Sequence, residues 1–235
     1  MWPRGRPGWN RERYLFLAAG GFDVSAAVDF RVLLETSTGS LLRWASLTDM
    51  FGYYLLLIPF FVGVGDKLRR ERPGMLDLFT LGGVLYAAFG AIGAVILASA
   101  GALLVDAYAV ADPADRAVVA VTFGAVAEGV RAIWQILEPI PLGVWAVGTG
   151  AILRDSRPVL GVIGIAFGMT AWFWSAMTMM GLAFELSTVV VLLAPVFGLL
   201  FWVFVVWLAL LLLRGRALSR SKEQEASSAQ DLQAG

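Results

Sequence analysis

Glu128, Arg131 and Glu138 stand among residues as apolar as Trp134, Ile136 and Leu137, and Asp49 stands near the start of another apolar run. Asp23, Asp29 and Arg31 interrupt a third run nearer the N-terminus. Ionisable side chains are costly inside a membrane, and those that occur there line cavities, relay protons or hold cations. Asp23, Asp29, Asp49, Glu128 and Glu138 against Arg31 and Arg131 make five acids and two bases, an excess of three negative charges if all ionise. Neighbouring acids in a low dielectric do not all ionise cheaply, so at least one carboxyl is expected to hold a proton. Arg131, or failing it Arg31, is the expected counter-ion, because a guanidinium stays charged and its planar fork engages two carboxylates. Glu138 is the carboxyl expected to be functional, since it precedes Pro139 and Pro141, where carbonyls stripped of N–H partners can share a bound cation with it. Two blander readings stand beside this one. In one, the charges are satisfied ion pairs that fix helix positions, with Glu128 and Arg131 at i, i+3 the plainest pair; in the other, the first span is shorter and several of the charges are simply wet.

Absent residue types narrow the chemistry. The chain has no histidine and no cysteine, which excludes histidine-ligated haem, a Ser-His-Asp triad, thiolate metal sites and disulfides. Lys67 and Lys222 both lie in charged hydrophilic stretches, unlike a buried Schiff-base lysine. No catalytic motif is present, no cofactor is called for, and nothing in the sequence names a metal. A formal charge of zero leaves no basic surface for nucleic acid. With 59% hydrophobic and 15% charged residues and a mean hydropathy of +0.76, the composition is that of an integral membrane protein, whose first partner is the lipid bilayer.

The element that must position Glu128, Arg131 and Glu138 is the stretch from Asp112 to Arg154. Asp112 is an N-cap, Pro113 occupies the first helical position and Asp115 the first turn, where carboxylates favour the positive helix end. An unbroken helix from there to Arg154 would reach about 60 Å, twice a bilayer's hydrocarbon thickness. The prolines predict a break, dividing the stretch into a helix from Pro113 to about Leu137 and a second from about Leu142 to Leu153. Hydropathy does not decide whether 113–137 spans the membrane or lies at its outer surface.

Around this stretch the sequence predicts an all-α bundle of six transmembrane helices. The others are expected at about Tyr14 to Leu34, Ala45 to Gly65, Leu78 to Val105, Val159 to Phe184 and Ser187 to Leu213. Residues 1–13 then form a basic cytoplasmic N-terminus, 14–213 the transmembrane domain and 214–235 a flexible cytoplasmic tail. Every second loop is basic, including the Asp66 to Arg72 and Arg154 to Arg157 loops, which predicts a cell-membrane protein with both termini cytoplasmic. Rise along the helices then places Asp29, Arg31, Asp49 and Glu138 in the outer third of their spans, with Asp23 nearer the midplane. In the third span Gly83, Ala87, Gly90, Ala94, Ala98 and Gly101 recur at steps of three or four, forming one small-residue face for close helix packing.

The run Leu41-Leu42-Arg43-Trp44-Ala45-Ser46-Leu47-Thr48-Asp49-Met50-Phe51, the span ending in Lys67-Leu68-Arg69-Arg70, and the later Pro141-Leu142-Gly143 and Arg157-Pro158-Val159-Leu160-Gly161 carry a resemblance. Over Leu41 to Trp174 the chain resembles a group of bacterial polytopic membrane proteins known only as a domain of unknown function. The resemblance implies no activity, and Glu128, Arg131 and Glu138 have no counterpart in it.

Two function classes lead: an outward-facing acidic intramembrane site for a small solute, cation, proton or lipid headgroup, and a non-catalytic subunit that packs against a partner protein in a larger membrane complex. A water-accessible cluster favours the first. A fully paired cluster with an exposed small-residue face favours the second. An intramembrane enzyme acting on lipid comes third.

Overall fold

The computed structural model describes residues 33–34, 37–69, 76–181, 198–211 and 213. These are helical apart from short connections, with no strand among them. Four helices are long and apolar enough to cross a membrane: α1 (Gly39–Arg69), α2 (Asp77–Val110), α3 (Pro113–Ser156) and α4 (Pro158–Met179). A shorter apolar helix, α5 (Gly198–Leu211), follows. The expected first span, apart from Leu33 and Leu34, lies outside the described residues, as do both termini and the start of the sixth span.

Each helix start has a chemical cause. Thr38 accepts the Leu41 N–H at 3.2 Å, and Asp106 Oδ1 accepts the Gly39 N–H at 2.9 Å. Two orphan donors are thereby satisfied, which lets α1 begin six residues before the expected Ala45. At the head of α3, Asp112 Oδ1 accepts from the N–H groups of Ala114 and Asp115, at 2.9 and 3.0 Å, with Pro113 just inside. That cap is the one its sequence pattern predicts. Nothing breaks the helix between Val105 and Val110, so α2 runs on to the residue before Ala111.

Three of the helices contain a π-turn: Met50–Tyr54 in α1, Leu97–Gly101 in α2 and Ile133–Leu137 in α3. The one in α3 replaces the predicted gap. Glu138 N–H bonds to Ile133 O at 2.9 Å, five residues back, and α-helix resumes at Pro139 rather than near Leu142. The wider turn brings the chain to Pro139 at the head of the resumed α-pattern, which continues through Pro141, so the prolines do not end the helix.

The described residues form two compact units. The first takes those up to Leu57 together with Tyr86–Glu138. Its apolar core joins Leu34, Leu42, Leu97, Val105, Phe123 and Ala127, with Tyr108 and Trp134 packed against them. The second takes Ile58–Leu85 and the described residues from Pro139 on. There Trp145 is 1% exposed and meets Phe61 and Phe204 edge-on, with centroids 4.7 and 5.4 Å away. Each such pair contributes about 0.5–1.5 kcal/mol beyond the area it buries. α3 and α4 approach so closely that a Cβ on Gly161 would lie 2.7 Å from Gly150 O, which requires glycine there. Lys67 Nζ donates to Leu211 O at 2.8 Å, placing a cation at the negative end of α5.

The small-residue face of α2 is turned inward. Gly83, Ala87, Gly90, Ala94, Ala98 and Gly101 are all buried within the chain, as close packing inside a single molecule requires.

Candidate functional site

The first unit gathers a polar cluster of Asp49, Tyr53 and Tyr54 from α1, Tyr86 from α2 and Glu138 from α3, with Gln135 buried one turn before Glu138. Asp49 directly precedes the Met50–Tyr54 π-turn, whose closing bond runs from Leu55 N–H to Met50 O. In a turn closed by an i→i+5 bond, the residues four and five positions on both sit beneath Asp49, so Tyr53 and Tyr54 share its side of the helix. Their rings meet edge-on with centroids 4.9 Å apart.

Tyr54 lies against Gly90 of α2, where any Cβ would collide with its ring. The same glycine offers its carbonyl to the Trp134 indole N–H at 3.3 Å. One residue without a side chain therefore seats an aromatic from α1 and fixes one from α3. From that seat the Tyr54 hydroxyl donates to Glu138 Oε2 at 3.4 Å, the long end of hydrogen-bonding range. The Tyr53 and Tyr86 hydroxyls share a 2.7 Å bond in which either can donate.

Glu138 is 5% exposed and Gln135 3%, so both polar groups lie well inside the chain. Asp49 contributes a buried carboxylate oxygen, Oδ1, that has no hydrogen-bond partner. A buried oxygen in that condition is expensive unless it carries a proton or faces a ligand. The carboxyls of Asp49 and Glu138 both interact electrostatically with Tyr53 and Tyr54. Two acids thus converge on one pair of phenols.

The sequence-predicted residues divide. Asp49 and Glu138 lie in the same unit and act on the same two tyrosines. Glu128 and Arg131 form an ion pair on their own helix, with Glu128 57% and Arg131 19% exposed. That pair is the i, i+3 arrangement foreseen as the structural alternative, and Arg131 is about 10 Å of helix rise from Glu138. Asp23, Asp29 and Arg31 lie outside the described residues. Tyr53, Tyr54, Tyr86 and Gln135 were not anticipated. The signal for the first two was their spacing of four and five residues after Asp49.

Among the described residues no three acidic groups gather as metal ligands. The available donors are carboxylate, phenol and amide oxygens, with backbone carbonyls at the prolines. Pro139 and Pro141 provide no N–H for the carbonyls of Gln135 and Leu137, and Pro59 provides none for Leu55. An oxygen-only set of this kind suits protons and hard cations. No family model, curated protein or solved structure matches the chain, so the likeness to the domain of unknown function carries no further argument.

Proposed function

We propose that this chain is a multi-pass membrane transport protein whose Asp49–Tyr54–Glu138 cluster binds a proton or a small monovalent cation. The observation that carries the reading is the buried, unpartnered Asp49 Oδ1 in the same unit as the buried Glu138, with both carboxyls acting on Tyr53 and Tyr54. A carboxyl in an apolar region is costly to ionise, and a bound proton or cation removes that cost. A phosphate headgroup would meet repulsion from the same pair. The inward-facing small residues of α2 remove one support of the alternative, in which an exposed face of that kind docks a partner subunit.

In the proposed topology six helices span the membrane and both termini are cytoplasmic. Charges along three helices support a placement of the bilayer. From Arg43 to Lys67 on α1, from Asp77 to Ala98 on α2, and from Arg131 to Arg154 on α3, the helical rise is roughly 36, 32 and 35 Å. Each interval is close to the roughly 30 Å of a hydrocarbon core. Arg43 Nε donates to Ala98 O at 3.3 Å, so two of these markers share one level. The cluster then lies about 10 Å beneath the outer boundary, and the segment around Ala111 lies beyond it, outside the hydrocarbon.

Flux through proteoliposomes tests the reading. The wild-type chain should dissipate an imposed proton or sodium gradient, while Asp49→Asn and Glu138→Gln fall to the leak of protein-free vesicles. Wild-type rates in both variants would overturn it.

A further inference from the structure

We infer that the Ile133–Leu137 π-turn is a register switch that makes and breaks the Tyr54–Glu138 contact. π-helix accounts for well under 1% of residues in ordinary proteins, yet α1, α2 and α3 each contain a π-turn in the first unit. Two of the three meet at one contact. The Met50–Tyr54 turn carries the donor tyrosine, and the Ile133–Leu137 turn ends at the residue before the acceptor glutamate.

Switching requires a small exchange of bonds. In the observed register Glu138 N–H bonds to Ile133 O, and in an α-register it would bond to Trp134 O instead. The donor is satisfied either way. The residue gained or lost turns Glu138 by about 100° relative to the preceding helix, which is enough to take its carboxyl away from Tyr54. Pro139 keeps the two registers close in energy, because it has no N–H to reward the α-form and its ring crowds the Gln135 carbonyl. The upstream side of the turn is anchored, since the Trp134 indole is held on Gly90 O. Rotation is therefore taken up at Glu138 and not before it.

The trigger, and only the trigger, rests on the proposed cation or proton site. Occupancy at Glu138 favours the π-register. Release favours the α-register.

Hydrogen exchange at the amides of residues 133–138, read on the full-length protein in lipid nanodiscs, tests this. Sodium chloride is compared with choline chloride, and each is read at neutral and at lower pH. Exchange in the wild type should differ by about tenfold between the occupied and empty conditions. Glu138→Gln should lose that dependence. Pro139→Ala, which restores an N–H for Gln135 O, should exchange slowly in all conditions. Wild-type exchange indifferent to both ion and pH overturns the switch, even where Pro139→Ala fails to fold. If melting temperature nevertheless responds to the ion, the binding site survives without the switch. If exchange responds equally in wild type and Glu138→Gln, the switch stands and the assignment of its trigger to Glu138 falls.

Discussion

Tyr54 and Glu138 are brought into contact by a residue that bears no side chain: the Tyr54 ring occupies the space a Cβ would take on Gly90, and from there its hydroxyl reaches Glu138 Oε2. Packing and polar chemistry depend here on the same few atoms, so substitutions should separate them.

Tyr54→Phe keeps the ring against Gly90 and removes only the donor to a buried carboxyl. It should destabilise the protein by about 1–2 kcal/mol in detergent thermal melts. Gly90→Ala should cost more, about 1–3 kcal/mol, because the tyrosine ring must move and the Trp134 contact with it. A Gly90→Ala protein as stable as the wild type would mean that this close approach does not exist.

Asp106 caps a helix other than its own. Asp106→Ala removes the acceptor for the Gly39 N–H and should cost about 1 kcal/mol. Thr38→Ala removes the acceptor for Leu41 N–H at the same helix start, so the double variant should show coupling rather than simple addition. Strictly additive losses in thermal melts would argue that the two caps act independently.

Glu128 and Arg131 offer the contrast with the cluster. Because Glu128 is 57% exposed, Glu128→Gln should change stability by less than about 0.5 kcal/mol and leave ion-dependent behaviour intact. An effect as large as that of Glu138→Gln would extend the site by nearly three turns up α3.

The cysteine-free background permits a direct test of orientation. Cysteines introduced as Ser40→Cys and Asp112→Cys should react with an impermeant reagent in intact cells, and one introduced as Ser227→Cys should not. The opposite pattern would invert the proposed topology.

Much of this arrangement was legible in residue types and spacings. Asp112 with Pro113 marked the head of α3, the small-residue period of α2 marked its buried face, and Glu138 before two prolines marked a polar group inside the chain. Glu128 and Arg131 were legible as a pair because i, i+3 neighbours meet on any helix. The π-turns were not, since the phase shift made by one extra residue cannot be seen in runs that are apolar on nearly every face. Without that extra residue, Tyr53 and Tyr54 cannot be assigned to the side of Asp49. Gln135 went unnoticed for a related reason: an uncharged amide in an apolar run looks incidental until its burial is known.

The central claim is that Asp49 and Glu138 hold a proton or a small cation, and its most direct test is the ion dependence of stability. Binding to the folded state alone stabilises it, by about 2.7 kcal/mol when the ion is at one hundred times its dissociation constant. Melting of the purified wild type in sodium chloride against choline chloride, at neutral and lower pH, should show a clear rise in midpoint with one of the two ions. That rise should vanish in Asp49→Asn and Glu138→Gln and persist in Glu128→Gln. A midpoint indifferent to both ions, or a rise retained in Glu138→Gln and Asp49→Asn, would contradict the assignment.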